Sequence, residues 1–386
     1  MERLTCRTQH YAWGSTTALP RMRGVEPDGT PQAELWIGAH PVAPSCLPDG
    51  RTLDAAIAAA PRRLLGDAVA DRFANRLPYL VKLLAASAPL SIQAHPSDAQ
   101  AVAGFAAEEA AGIPSDAPDR LYRDASSKPE MIVALTPFTG LCGLRPVEAS
   151  LNLLERLGVA GRAPFTRLAA DGPAAVIGAL LRVRDADLAD AVTTGAAADP
   201  SNEAAWLRFI AAAFPSDPGI SVAALMNVVT LAPGEALFLP AGNLHAYLDG
   251  LGLEIMASSD NVLRGGLTPK HIAVNALLDV LDPTTALPTV LHATRDGAAV
   301  GVHLYTAPTA AFSLAIADVT EDDTTTGDAA CAGVPRLLLG LGGTVVASAG
   351  GSSLTVGPTD AVWIPAGDDD LVLSGVGRVA IARPGT

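Results

Sequence analysis

Ser91, Gln93 and His95 alternate along one short segment. On a strand, residues two apart share a face, so all three can point to one side. Lys128 and Glu130 are spaced in the same way, and so are His245 and Tyr247. Three segments can therefore each bring polar groups to one interior. An amide, two imidazoles and a carboxylate make a nitrogen and oxygen donor set without sulfur. That set suits zinc or another borderline divalent cation with one position left open for substrate. His40 competes with His95 for membership, because Ile37-Gly38-Ala39-His40-Pro41 echoes Ile92-Gln93-Ala94-His95-Pro96. Gln93 favours His95, since Gly38 brings no side chain. His10, His271, His292 and His303 have no comparable company.

Only three of the 26 basic residues are lysines, Lys82, Lys128 and Lys270, and each lies beside one of these polar motifs. Arginine serves everywhere else, so the retained positions point to a need for a compact, tunable ammonium. The stretch from Gly242 to Lys270 is dense with polar groups, among them Asn243, Glu254, Asp260, Asn261 and Arg264. Buried polar groups cost free energy unless paired, so this concentration marks a site. Within it, Ser258–Asn261 reads as a hydrogen-bonded turn.

The elements that must hold these residues are mostly strands. Strand-like runs cover Leu80–Leu84, Leu90–Ala94 and Met131–Leu135, then Met226–Leu231, Ala236–Leu239, His245–Leu248 and Leu253–Met256. A third group runs from about Val300 to Ala382. Short strands broken by Gly and Pro suit sandwiches and jelly rolls. Between Pro146 and Asp217 the apolar spacing turns helical, over Val147–Leu157, Ala174–Val183 and Glu203–Phe214. Ser97–Gly112 and Pro269–Leu281 are two further expected helices, with Ser97 and Thr268 as N-caps and Pro269 at the first helical position. One repeat is visible. Pro233–Gly242 aligns without gaps on Pro358–Gly367, and the position matching His245 is Asp370. This predicts two related β units, of which one keeps a metal-type histidine.

At 386 residues and a net charge of −14, the chain is long enough for two or three domains and ill suited to nucleic acid or an anionic membrane. An anionic substrate would need a local cluster of cations. Mean hydropathy is +0.30, yet no apolar run approaches the roughly 18 residues of a membrane span. The first residues carry no apolar signal core, and Cys6, Cys46, Cys142 and Cys331 form no C-x-x-C pair. A cytoplasmic protein is expected, with a monomer as the simplest state.

The motifs resemble those of the type I mannose-6-phosphate isomerases, zinc enzymes of the cupin superfamily. The matching stretches are Tyr11–Ser15, Ala33–Pro41, Leu77–Leu84, Pro89–Pro96, Lys128–Met131, Leu141–Pro146 and Pro240–Lys270. The resemblance implies a mainly β fold of cupin-type jelly-roll barrels. The catalytic barrel would take 1–145 and 218–290, an all-helical insertion 146–217, and a degenerate barrel without metal 291–386. It implies one Zn²⁺ per chain on Gln93, His95, Glu130 and His245. Arg264 matches the family's catalytic arginine, and Glu254, Tyr247 and Lys128 match residues lining the sugar pocket. Glu254 is the first candidate for the base. Lys82, Ser91 and Lys270 match a phosphate-binding group. The implied reaction converts mannose 6-phosphate to fructose 6-phosphate through a cis-enediol. Another sugar or sugar-phosphate isomerase, or a non-catalytic sugar-phosphate-binding cupin, are the competing readings. One departure stands out: many relatives carry Asn-His before Lys-Pro-Glu, where this chain has Ser126 and Ser127.

Overall fold

The protein is described here by a computed structural model covering residues 1–295, 301–321, 325–326 and 333–385. Cys331, and Val300 at the start of the third strand group, lie outside the described residues. Among the described residues the strands form two sheets, one of nine and one of eleven, with antiparallel neighbours throughout. The expected mainly β architecture with a helical segment is what the chain adopts.

The larger sheet is built on the strand Tyr79–Ala86, which pairs with Glu34–Gly38 on one side and His245–Ala257 on the other. All eight of its residues are buried, as a central strand requires. His245–Ala257 is one long strand where two short ones are expected. A register shift between Tyr247 and Asp249, with Gly250 at φ +119°, bends it without ending it. Its first half pairs with Ile92–Ala94 and Phe138–Leu144, its second half with Tyr79–Ala86 and Glu130–Ala134.

Two apolar covers decide which way the side chains point. Ile92, Ala94, Leu244, Ala246 and Leu248 are buried in a core shared with the helices Val147–Arg156, Leu168–Val183, Ala186–Ala198 and Asn202–Ala213. Val81, Leu83, Met131, Val133, Leu253 and Ile255 are buried in a second core shared with Tyr305, Leu337 and Trp363 of the smaller sheet. Strand alternation then turns Gln93, His245 and Tyr247 inward from the first set, and Lys82, Glu130 and Glu254 inward from the second. Between them lies a small apolar cluster of Leu84, Ile132, Phe138, Leu239 and Tyr247.

The helical segment contains more than was expected. Leu168–Val183 starts six residues before the expected Ala174 and breaks at Gly172, and Ala186–Ala198 is an additional helix capped by Asp185. The latter is easily read as a linker because Thr193, Thr194, Gly195 and three alanines close it, yet Leu188, Val192 and Ala196 form a buried stripe. Asp98–Ala110 forms as expected, with Ser97 and Gln100 making a capping box. The helix expected over Pro269–Leu281 is shorter, Val274–Val280. Thr268 does not cap it. Its hydroxyl accepts instead from the Lys270 amide at 3.1 Å, and this local turn holds residues 268–270 out of the helix.

Candidate metal centre and its cation cluster

Strand register assembles the site. Gln93 lies directly opposite His245 on one side and Arg264 on the other. Glu254 lies opposite Lys82, and Glu130 opposite Met256 two residues further on. Arg264 is placed by a close backbone packing: Gly266, at φ +133°, lies so near Gly219 that an added Cβ would come within 2.6 Å of its Cα. A side chain at Gly266 would push the Leu263–Gly266 strand away from Gln93.

His95, Glu130 and His245 bring one ligand atom each to within 4.8 Å of one another, and all three are buried. His95 Nε2 is 3.4 Å from Glu130 Oε1, and His245 Nε2 is 3.3 Å from Glu130 Oε2. Gln93 joins them, its amide 3.4 Å from His245 Nε2. The second partners that sequence could not supply are backbone carbonyls. His95 Nδ1 donates to Asn261 O at 2.7 Å and His245 Nδ1 to Asn243 O at 3.0 Å. A carbonyl only accepts, so each Nδ1 carries the proton and each Nε2 turns a lone pair toward the cluster. Burial pushes the His95 imidazole down to about 4 against the pull of Glu130, which keeps it neutral and able to ligate. His95 Nε2 and Glu130 Oε2 are buried without a hydrogen-bond partner. Orphaned buried groups of this kind are costly, and a divalent cation would satisfy both. The donor chemistry fits such an ion.

His40, the competitor, is elsewhere. It is buried edge-on to Trp36, with Nε2 3.5 Å from Asp260.

Two of the three lysines are buried, which excludes solvated surface roles for them. Lys128 Nζ lies 3.0 Å from Glu130 Oε1. Burial would raise the Glu130 carboxyl, but Lys128 and the histidines outweigh it and hold it well below its usual range. Lys82 Nζ lies 3.0 Å from Glu254 and 3.5 Å from Glu34, over the Trp36 ring. Burial alone would lower this ammonium, and Glu254, Glu34 and Glu130 instead raise it above lysine's usual value. Glu254 is itself pushed up, first by burial, with Lys82 opposing and Glu130 and Glu34 adding to the rise. Tyr247 stays protonated, raised by burial and then by Glu254 and Glu130.

The group expected to hold phosphate is split. Ser91 accepts a 2.9 Å hydrogen bond from Arg264 Nη1, and the charges of Arg264 and Arg123 act on Lys270. Lys82 sits among carboxylates instead, as a lysine in the middle of a wholly buried strand must. Glu34 and Arg123 are neighbours that sequence reasoning did not single out. Glu34 had a legible signal, an acid two residues from Trp36 in an apolar run; Arg123 had none.

The Ser258–Asn261 turn is as expected, and it is tightly bonded. Ser259 donates to Asp124, and the fully buried Asn261 bonds Arg123, Asp124 and Ser126.

The family model of the phosphomannose isomerase type I catalytic domain matches residues 1–147. A mannose-6-phosphate isomerase of Escherichia coli (strain K12) is 36% identical over 395 residues, covering 98% of each chain. The Homo sapiens mannose-6-phosphate isomerase is 35% identical over 317 residues, covering 73% of each. A crystal structure of mannose 6-phosphate isomerase bound with zinc and yttrium superposes with a TM-score of 0.90 at 34% identity, covering all of both chains.

Proposed function

Since this chain belongs to the type I phosphomannose isomerase family, we propose that Gln93, His95, Glu130 and His245 hold one zinc ion and that the surrounding residues interconvert mannose 6-phosphate and fructose 6-phosphate. The observation that carries this reading is the buried His95–Glu130–His245 triangle with its two unpartnered ligand atoms.

The reaction takes a proton from C2 of the open-chain aldose and returns one at C1 through a cis-enediol. When bound, zinc supplies Lewis-acid stabilisation of the oxygen charge that develops at C1 and C2. Arg264, fixed by Ser91, adds a cation on the same face, and hydrogen-bond donors of this kind act without reorganising. Glu254 is the proposed base. Burial raises its carboxyl, which strengthens it as a base, and Lys82 at 3.0 Å orients it. Lys128 steadies Glu130, and Tyr247 lines the same interior. The phosphate is taken by Ser91 and Lys270 together with Arg264, and the charge of Lys82 is committed to Glu254 and Glu34.

In the same reading 1–145 and 218–290 carry the chemistry, 146–217 covers one face, and 291–386 covers the other. Each sheet also takes in one short strand from the other range: Glu2–Leu4 pairs with Ala361–Ile364, and Leu291–His292 with Glu235–Leu239. Among the described residues no helix is long and apolar enough to cross a membrane. Cys6 and Cys46 are both free thiols, which supports a reducing, cytoplasmic setting.

The deciding experiment is a coupled assay of mannose 6-phosphate conversion on chelator-stripped protein, before and after zinc is returned. Loss on stripping and recovery with zinc is expected. No turnover by zinc-loaded, folded protein would overturn the assignment and favour a binding-only cupin.

A further inference from the structure

The protein is acidic overall, yet Arg123, Arg264 and Lys270 form a local knot of positive charge. Among the described residues none of the three makes a salt bridge with a carboxylate. The nearest acid in sequence, Asp124, is already committed. It accepts from the Ser259 hydroxyl at 2.9 Å and from the backbone amides of Asp260 and Ser126 at 2.8 and 2.9 Å. Arg264 is held by burial and by Arg123 below its ordinary value, and Lys270 by Arg264, burial and Arg123. Like charges gathered in this way repel, and an anion among them relieves the repulsion.

Arg123 reaches this knot by a defined route. Its backbone amide donates to Asn261 Oδ1 at 2.7 Å. The Asn261 amide group donates to Asp124 O at 2.8 Å and Ser126 O at 2.9 Å. The backbone oxygen of the same Asn261 accepts from the metal-ligand imidazole of His95. Asn261 therefore keys the strap of residues 123–127 to the metal centre with no exposed surface of its own. Beyond the strap come Lys128 and Glu130, on the metal side. Before it comes Arg123, whose side chain is exposed and free to close on a ligand. A hexose 6-phosphate has the same polarity, with its reacting carbons at one end and its phosphate at the other.

We propose that Arg123 is a further phosphate-recognising residue, placed beside Ser91, Arg264 and Lys270 because Asn261 locks its backbone to the metal ligand His95. This rests on the reading of Ser91 and Lys270 as the phosphate seat. Its function is in substrate selection: it favours a dianionic phosphoryl end and has nothing to grip in an unphosphorylated sugar. An arginine here gives forked hydrogen bonds that a lysine would give only as a point charge.

The test compares Arg123→Ala, Arg123→Lys and Lys270→Ala as zinc-loaded full-length enzymes. Inorganic phosphate serves as a competitive inhibitor, and metal content is measured on each preparation. Arg123→Ala is expected to raise both KM for mannose 6-phosphate and Ki for phosphate about ten-fold, the worth of one charged hydrogen bond. The kcat should fall far less, the metal content should match the parent's, and Arg123→Lys should recover part of the loss. If Lys270→Ala raises the phosphate Ki and Arg123→Ala does not, the Arg123 assignment is overturned and the seat survives. If neither substitution moves it, the seat itself is wrong.

Discussion

The chain builds the same β motif twice and, among the described residues, gathers a candidate metal cluster in one copy. In the first copy, strand Met226–Leu231 turns into Glu235–Leu239, and the long strand His245–Ala257 follows. In the second, Ser352–Val356 turns into Ala361–Ile364, followed by Val372–Arg383. The pairings correspond too. Leu239 pairs with Glu130, and its repeat partner Ile364 pairs with Arg336. Glu130 and Arg336 are thus equivalent positions with opposite charge. In the first copy the carbonyl of Asn243 accepts from His245, the proposed ligand. In the second, the carbonyl of the matching Asp368 accepts from the buried guanidinium of Arg336, which also donates to Asp369 O at 3.3 Å. A cation thus stands at the strand position where the first copy has the carboxylate of its candidate metal cluster. One fold accepts both arrangements because each gives the matching turn carbonyl, Asn243 or Asp368, a side-chain donor.

The largest effect that can break this comparison is on the first copy. Glu130→Ala removes the one carboxylate of the proposed ligand set and leaves two neutral imidazoles and the Gln93 amide. Zinc content after dialysis should fall to near zero. Activity should drop by more than the roughly 100-fold typical of losing an outer-sphere partner. Retention of stoichiometric zinc would show that Glu130 is not a ligand. The next effect concerns the proton. If Glu254 is the base, activity falls as pH drops through its raised pKa, since only the carboxylate can take the proton. Lys82 opposes that rise, so Lys82→Met should move the acid limb of the kcat profile to higher pH while reducing kcat. A limb that stays where it was would remove Glu254 from the base role.

The difference between the copies also marks what a sequence can disclose. Periodicity placed Gln93, Glu130 and His245 on strands, because alternation with Ile92, Ala94, Ala246 and Leu248 is a local property. The offset repeat announced the second copy for the same reason. What periodicity could not show was which cover lies on which face. The inward turn of Lys82 and Glu254 depends on the apolar core shared with Tyr305 and Trp363, both more than two hundred residues downstream of Lys82 and more than fifty beyond Glu254. The split of the expected phosphate group follows from this. Lys82 was grouped with Ser91 and Lys270 through the family resemblance, whereas strand register sets it opposite Glu254 and Trp36. The carbonyl partners of His95 and His245 were equally hidden, since backbone acceptors leave no mark on residue identity. Thr268 misled in the opposite way: a good capping residue followed by proline is also a good turn.

A smaller effect separates the copies by stability rather than activity. Arg336→Met keeps the bulk but leaves the carbonyls of Asp368 and Asp369 without their charged donor. Both belong to a turn that is partly open to solvent, so water can replace some of what is lost. The expected cost is about 2 kcal/mol, seen as a lower urea midpoint at constant slope. Zinc stoichiometry and turnover should be unaffected. A loss of zinc instead would mean that the smaller sheet holds the metal centre in shape, and the two copies would not be independent.

The smallest expected effect is the sharpest on what the second copy lacks. Asp370 stands where the first copy has His245, and it is exposed. Asp370→His restores the residue type without restoring the site. Arg336 still places a cation at the position of Glu130, and the strand Thr325–Thr326 pairs with Val372 and Leu373, two and three residues beyond Asp370, whereas Gln93 pairs with His245 itself. Zinc measured by elemental analysis should remain at one per chain. Asp370→His combined with Arg336→Glu would remove the competing cation and add a carboxylate, giving two of the four donors of the first copy. That pair should bind zinc weakly at most, with retention lost on dialysis, because a stable site needs three or four protein ligands. A second tightly held ion in the single variant would show that the guanidinium is no obstacle, and the contrast between the copies would then rest on the histidine alone.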